Sequence, residues 1–226
     1  MFAELGRIKL GETDLDGVLN RVADLARRTV PGTTQVSITL LRDHRGARTA
    51  ASTGDIALRL DELQYERSAG PCLEAAGAKI TVAVPDTAAD VRWDRWGAEA
   101  ARAGMGSLLS LGLPILDDVS GALNLYGAGV RAFGARAERA AETFAGYATV
   151  ALANAHLYDD TATLAQHMQA AMQNRAVIEQ AKGIIMGDRR CTADEAFAIL
   201  TKVSQDSNRK LRDVAAALVG RTQRAR

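Results

Sequence analysis

The stretch from Ala135 to Gly187 contains no proline and almost no other residue that would break a helix. Apolar residues recur within it at every seventh position without a gap: Val150, Leu157, Leu164, Ala171, Ile178 and Ile185. A seven-residue repeat is typical of a helix that packs along a partner helix. The stretch therefore predicts one long helix, with a larger domain before it and a small unit after it.

The positions that accompany this repeat are mixed in character. On one side of the repeat lie Asn154, Thr161 and Met168, and on the other side lie Asp160, His167 and Asn174. Polar residues at such positions weaken a two-helix seam. We therefore predict a homodimer of modest affinity through the repeat. The alternative, a long helix that packs only on the two domains of its own chain, stays open.

The residues before the long helix predict an antiparallel sheet flanked by helices. Thr13 to Val30 has the apolar spacing of an amphipathic helix, and Thr13 or Asp14 can cap it. Short alternating or apolar runs predict strands at 36–40, 80–84, 107–115 and 122–126. The polar run at 42–48 predicts a hairpin turn into a further strand that ends near residues 53–54, and residues 92–103 predict a helix. Strands joined by hairpins and flanked by helices predict an α+β domain.

The last fifty or so residues predict a three-helix unit that begins with the end of the long helix. Thr192 and Glu195 form a capping box at the start of the second helix. Ser207 or Asn208 can cap a third helix that ends at Gly220, and its apolar face consists of Leu211, Val214, Ala215, Leu218 and Val219. The predicted domains are therefore 1–150, a connecting helix at 151–173, and 174–226.

Charge is distributed unevenly between the two ends of the chain. Residues 1–155 carry 17 basic and 19 acidic side chains, whereas residues 174–226 carry 11 basic and 6 acidic side chains. Arg209, Lys210 and Arg212 fall in the predicted first turn of the last helix, where the helix dipole disfavours cations and free backbone donors attract anions. This placement favours a nucleic-acid contact, to which Lys182, Arg189 and Arg190 could add; an ordinary solvated surface is the alternative.

The sequence offers little support for catalysis. It has no nucleophile elbow, no phosphate-binding loop and no zinc-ligand spacing, so we predict that the protein is not an enzyme and holds no metal. Cys72 and Cys191 are expected to be free thiols. Because Cys72 lies at the start of a predicted helix, where the dipole could lower its pKa, a redox sensor acting through Cys72 is an alternative.

No part of the sequence predicts contact with a membrane. The first residues contain acids and no apolar run, so no signal peptide is expected. No segment approaches the roughly 18–20 consecutive apolar residues that a membrane-spanning helix needs. The expected location is the cytoplasm.

Two segments resemble known domain families. Residues 174–186, followed by Asp194–Phe197 and Lys210–Ala215, closely resemble the ANTAR domain. Gly70–Cys72, Asp86–Trp93, Ser107–Pro114 and Gly121–Tyr126 look like parts of a GAF sensory domain that covers roughly residues 10–155. The pairing is similar to that of actinobacterial GAF–ANTAR regulators of transcription antitermination.

The ANTAR resemblance implies a function and a set of residues. ANTAR dimers bind RNA with paired hairpins and thereby suppress transcription termination. The family's Ala-Lys-Gly motif falls on Ala181, Lys182 and Gly183, and its basic segment falls on Arg209, Lys210 and Arg212. We add Arg189, Arg190 and Ser204 to the predicted RNA-binding residues.

The GAF resemblance implies a sensory input whose nature stays unknown. GAF domains bind cyclic nucleotides, haem or bilins, and they can also respond to a partner protein. The histidine of this region, His44, lies in a predicted loop, so haem ligation by histidine is not expected. The cofactor is therefore left unassigned. A protein-interaction adaptor whose helical tail docks on a partner protein is a further alternative.

Overall fold

The computed structural model describes residues 13–42, 46–93 and 95–224. The chain divides into two compact units, with the boundary between Asp159 and Asp160. The predicted turn residue His44 lies outside the described residues, as does Asp94 within the predicted helix at 92–103.

The α+β fold predicted from the sequence is confirmed. The first unit contains a five-stranded antiparallel sheet and four shorter helices, and the second contains two further helices; one long helix belongs to both. The helices are α1 (Leu15–Thr29), α2 (Asp55–Arg67), α3 (Pro71–Ala78), α4 (Trp96–Arg102), α5 (Ala135–Arg189), α6 (Ala193–Asp206) and α7 (Leu211–Arg224). The strands are β1 (Gln35–Arg42), β2 (Gly46–Ser52), β3 (Thr81–Val84), β4 (Ser107–Pro114) and β5 (Val119–Gly127).

The sheet has the strand order β2-β1-β5-β4-β3, with β5 at its centre. Because successive side chains of a strand point to opposite faces, each central strand contributes to two different layers. Leu123 and Leu125 of β5 face a large apolar core that also contains side chains of α1 and of the first part of α5. Ala122 and Tyr126 face a second core, built with α2, α3 and the two tryptophans.

Helix α2 is absent from the sequence-based prediction, and its sequence explains why. Gly54 precedes it and provides no side-chain cap, so the usual signal for a helix start is missing. Two of its buried side chains, Asp61 and Gln64, are polar and obscure the apolar periodicity of the buried face. Other boundaries differ as well: α4 begins at Trp96 rather than at Arg92, and β1 and β5 are longer than the predicted 36–40 and 122–126.

A layer of hydrogen-bonded polar side chains lies between the sheet and α2. At its centre, Asn124 donates to the hydroxyls of Ser37 and Thr39, and its carbonyl oxygen accepts from Ser110. All four residues are fully buried. Buried polar groups that satisfy one another in this way specify one packing arrangement, since an unpaired member would be costly.

Asp61 is the titratable carboxyl group of this layer. Its two oxygens accept hydrogen bonds from Tyr126 Oη at 2.6 Å and from Thr49 Oγ1 at 2.9 Å. Burial raises the pKa of Asp61 from 3.8 to about 6, more than the hydrogen bonds lower it, and nearby Glu62 raises it further. The ionised form of Asp61 therefore destabilises the fold at neutral pH.

We predict that Asp61→Asn stabilises the protein at pH 7.5. The raised pKa contributes stability that is complete below pH 3.8 and is lost as the pH rises through about 6. This loss is on the order of 3 kcal/mol, and the neutral amide avoids it because both hydroxyl partners can also accept a hydrogen bond. Thermal unfolding should show Tm about 5 °C or more above wild type, and the difference should shrink toward pH 4.

The control is Glu66→Gln, which removes an exposed carboxyl group from the same helix. It should leave Tm nearly unchanged across the same pH range. If Asp61→Asn lowered Tm equally at pH 4.5 and 7.5, its hydrogen bonds rather than its charge would determine its effect.

Candidate nucleic-acid interface

The second unit is a three-helix arrangement around a small apolar core. The fully or nearly fully buried members of this core come from the end of α5 and from α6 and α7: Ala181, Ile185, Ala196, Leu200, Val214 and Ala215. The predicted capping box is present: the Thr192 amide donates to Glu195 Oε2 at 2.8 Å, and the Glu195 amide donates to Thr192 Oγ1 at 3.3 Å. The hydrogen bonds from Thr192 lower the pKa of the Glu195 carboxyl group.

The turn between α6 and α7 is fixed by reciprocal hydrogen bonds. Ser204 Oγ donates to the carbonyl of Arg209 at 2.5 Å, and the Arg209 amide donates to the carbonyl of Ser204 at 3.0 Å. Asn208 has φ 50°, a left-handed conformation that asparagine tolerates. Ser204 therefore shapes the turn that presents the basic segment, because its hydroxyl is already occupied by Arg209.

The basic segment lies differently from the prediction. Helix α7 begins at Leu211, so Arg209 and Lys210 precede it and only Arg212 lies in its first turn. The prediction that three cations occupy the first turn is wrong, because Asn208 and Arg209 belong to the turn rather than to the helix. Arg212 Nε also lies 3.4 Å from Asp213 Oδ1, so the argument from an unfavourable helix dipole largely disappears.

Three further expectations for α7 also need correction. Ser207 ends α6 and Asn208 lies in the turn, so neither of them caps α7. The first backbone acceptor of α7 is the carbonyl of Lys210, which accepts from the Asp213 and Val214 amides. The helix does not end at Gly220 but continues to Arg224.

The predicted RNA-binding residues fall into an exposed and a covered group. Arg189, Arg190, Arg209, Lys210 and Arg212 are all exposed. In contrast, the side chain of Lys182 is only 17% exposed, and its Nζ lies 3.0 Å from Glu179 Oε2. Ala181 is completely buried in the three-helix core, so its side chain packs the unit and offers no surface to a ligand.

The structure brings two of the predicted arginines together. Arg189, at the end of α5, and Arg209, in the turn before α7, line one groove of the three-helix unit. A third arginine, Arg221, lines the same groove, and the sequence analysis missed it. The spacing of Val214, Leu218 and Arg221 could have identified Arg221 from the sequence, because it places the three residues on one face of a helix that extends beyond Gly220.

The first unit places Cys72 away from solvent. Cys72 is completely buried, and its backbone amide donates to Gln64 Oε1 at 2.8 Å. Burial raises the pKa of the Cys72 thiol well above its usual value, and the charge of Asp61 adds to this effect. Because the thiolate is the reactive form of cysteine, this environment disfavours a redox role for Cys72.

A hollow of about 250 Å³ between α2 and α4 is lined by both apolar and charged side chains, among them Leu60, Leu63, Arg59 and Glu99. No group of three or more histidine, cysteine or acidic side chains within residues 13–42, 46–93 and 95–224 could hold a metal ion. No helix in these ranges is long and apolar enough to cross a membrane.

Fold and site together define a protein with an α+β domain and a small helical unit that exposes arginines. The GAF domain family matches residues 12–153, and the ANTAR domain family matches residues 166–219. The chain therefore belongs to the GAF family and combines its GAF domain with an ANTAR domain. This architecture is that of an RNA-binding antitermination regulator with a sensory domain. No curated protein matches the chain.

Solved structures with a similar fold include two GAF domains and a bacteriophytochrome. The phycocyanobilin-bound GAF domain from a cyanobacterial phytochrome matches 69% of this chain and 93% of its own, with 14% identity and a TM-score of 0.51. The photoproduct state of a GAF domain from Synechocystis matches 64% of this chain and 96% of its own, with 16% identity and a TM-score of 0.51. The bacteriophytochrome RpBphP3 from R. palustris matches 88% of this chain but only 46% of its own, with 16% identity and a TM-score of 0.51. At these identities the likeness concerns the fold alone.

We predict that Cys72 does not react with a maleimide in the folded protein. Cys191 is partly exposed, whereas Cys72 is buried with a raised pKa, so the native chain should take up one equivalent at pH 7. The Cys191→Ser variant should take up none until it is unfolded in guanidinium. Mass spectrometry measures both. Rapid labelling of Cys72 in the folded Cys191→Ser variant would restore the redox alternative.

Proposed function

We propose that this protein is a homodimeric RNA-binding antiterminator. In each copy, the ANTAR domain binds one hairpin of a tandem-hairpin RNA and thereby suppresses termination, while the GAF domain senses a ligand or a partner protein. The observation that carries the proposal is the match of residues 166–219 to the ANTAR family, over the same helices that expose the basic segment. The protein acts by binding and not by catalysis.

The basic segment supports a phosphate contact by its exposure and its fixed backbone. Arg209 and Lys210 are exposed in a turn that Ser204 holds in place, and Arg212 is exposed in the first turn of α7, which follows it. A fixed backbone lowers the conformational entropy that binding would cost. Arginine side chains also match phosphate geometry through two parallel hydrogen bonds.

The middle of α5 supports the homodimer. Every side chain from Thr163 to Gln173 is exposed, so this part of the helix has no packing partner among the described residues of its own chain. Helices in water are stabilised mainly by packing of an apolar face. Leu164 and Met168 are exposed apolar side chains of this region, and Val150 and Leu157 precede them along α5 at the seven-residue spacing of a two-helix seam.

For the GAF domain we propose only the class of its input, which is a ligand or a partner protein. The chain offers a buried polar layer beneath α2 and a small hollow between α2 and α4, and neither indicates a particular ligand. Phosphate transfer is not proposed, since nothing in the sequence resembles a receiver domain. The adaptor alternative differs from the proposal in its partner, which would be a protein rather than RNA.

We predict that the full-length chain captures tandem-hairpin RNA from a lysate and that replacing Arg209, Lys210 and Arg212 by alanine abolishes the capture. Each lost phosphate contact should flatten the slope of log affinity against log salt by about 0.7–0.9. Three lost contacts should weaken binding at moderate salt by roughly a hundredfold. Sequencing identifies the captured RNA, and titrations at several salt concentrations with the most enriched RNA give the slope.

The matched control replaces Arg131, Arg136 and Arg139 by alanine. These are three exposed arginines of the first unit, so the change in net charge is the same. This control should keep the affinity and slope of wild type. Capture of proteins without any enriched RNA would favour the adaptor, and an unchanged salt slope in the folded triple variant would place the RNA contact elsewhere.

We predict that Leu164→Glu converts the dimer to a monomer. The dimer would bury this leucine twice, and each burial contributes about 1.5–3 kcal/mol, so the dissociation constant should rise more than a hundredfold. Gln166→Glu adds the same charge on the opposite side of the helical repeat and should leave the dimer intact. Sedimentation at increasing concentration measures both variants; a wild-type protein that stays monomeric with and without RNA would refute the homodimer.

A further inference from the structure

Helices α2 and α4 form the two walls of the hollow of about 250 Å³ in the first unit. Trp96, the first residue of α4, connects the walls, because its Nε1 donates to the carbonyl of Leu60 at 3.1 Å. Asp61 points toward the sheet, where Tyr126 of β5 donates to it, so the hollow opens on a different face of α2. A small molecule can therefore enter the hollow without displacing the buried polar layer.

The floor of the hollow is apolar. Leu60 is almost completely buried, and Ile56 and Leu63, one turn before and after it on α2, are partly buried against the same core. Ala103, the residue after α4, also lines the hollow and is partly exposed. Covering the exposed part of these side chains with an apolar group is favourable, because it removes apolar surface from water.

The rim of the hollow carries one cation without a partner. Its charged residues are Arg59, Glu99 and Arg102. Arg102 Nη1 lies 2.9 Å from Glu99 Oε1, so these two charges largely compensate each other. Arg59 is exposed and forms no ion pair with any residue that the structure describes, although Asp55 and Glu62 lie one turn away from it on α2. The rim therefore attracts a single negative charge.

The size and the charge of the hollow together define a class of ligand. The volume lies just below the range of about 300–1,000 Å³ that is typical of ligand pockets, so the ligand is compact. A guanidinium group binds a carboxylate through two parallel hydrogen bonds, a geometry open to the exposed Arg59. A dianion fits less well, because Glu99 adds a negative charge to the rim.

We propose that the hollow binds a small apolar monocarboxylate. Its apolar body covers Ile56, Leu60 and Leu63, and its carboxylate pairs with Arg59 at the rim. The proposal rests on the proposed sensory function of the GAF domain and narrows the input from a ligand or a partner protein to one chemical class. A ligand in this position contacts α2 and α4 at once.

The test uses the full-length chain with labelled isoleucine and leucine methyl groups, and three probes: phenylacetate, benzoate and 4-methylpentanoate. At least one probe should shift the signals of Ile56, Leu60 and Leu63 saturably, with a dissociation constant on the order of 0.1–1 mM. The neutral amide of the same acid should bind roughly tenfold more weakly, because it lacks the charge that pairs with Arg59.

Three variants change the hollow in different ways. Arg59→Gln removes the unpaired cation and should weaken binding of the carboxylate roughly tenfold. Ala103→Leu fills the hollow without removing a charge and should abolish binding. Glu99→Gln should strengthen binding several-fold, because it removes the carboxylate that repels the ligand and frees Arg102 from its ion pair. A gain in affinity cannot result from misfolding, so this variant keeps the test decisive.

Matched controls separate the hollow from general effects of charge and side-chain size. Arg21→Gln removes an exposed arginine of α1, and Ala98→Leu enlarges an exposed alanine of α4. Neither residue lines the hollow. Both controls should bind the probe with the affinity of wild type.

The proposal is overturned if none of the three probes shifts the signals of Ile56, Leu60 and Leu63, if amide and carboxylate bind equally well, or if Glu99→Gln weakens binding. A loss of affinity in the two controls equal to that in Arg59→Gln would also overturn it, because the effect would not depend on the hollow. These titrations contain no RNA, so each such result leaves the RNA-binding function in place. Conversely, failure to capture RNA would overturn that function and leave carboxylate binding in the hollow standing.

Discussion

The continuity of helix α5 is the constraint that the two units share, because this one helix contributes side chains to a hydrophobic core in each of them. Its first part contributes Ala141, Phe144 and Ala148 to the core beneath the sheet. Its last part contributes Ala181 and Ile185 to the core of the three-helix unit. A proline between these parts would remove a backbone hydrogen bond and would interrupt the one element that the two units share. The absence of proline from residues 135–187 is therefore the most informative negative feature of the sequence.

Sequence periodicity predicted the elements whose buried faces are apolar, and it failed where buried faces are polar. Alternation of Val36, Ile38 and Leu40 identified β1 because these three side chains enter one apolar core. The same rule could not find α2, whose buried face includes Asp61 and Gln64. These residues are polar because Asp61 accepts a hydrogen bond from Tyr126 of β5 and Gln64 accepts one from the backbone amide of Cys72 in α3. The sequence alone does not show such partners.

Some features of the candidate site follow from the local sequence, whereas others depend on contacts between residues that are distant along the chain. The exposure of Arg209, Lys210 and Arg212 follows from their local polarity, but the start of α7 depends on how Ser204 holds the turn. Ala181 and Lys182 were assigned to RNA together because they share one family motif. Tertiary packing separates them from the exposed arginines, since Ala181 is buried in the core and Lys182 is paired with Glu179. A motif identifies a structural unit without distinguishing the residues that pack from those that bind.

The central strand β5 connects the two faces of the sheet. Asn124 takes part in the buried polar layer, whereas its neighbours Leu123 and Leu125 enter the core that contains Phe144 of α5. Because protein interiors are densely packed, a change that displaces Asn124 also displaces the two leucines beside it. The polar layer contains the carboxyl group of Asp61, whose pKa is raised to about 6 by burial. The alternation of a single strand thus places the polar layer beneath α2 and the core that contains α5 on opposite faces of one shared backbone.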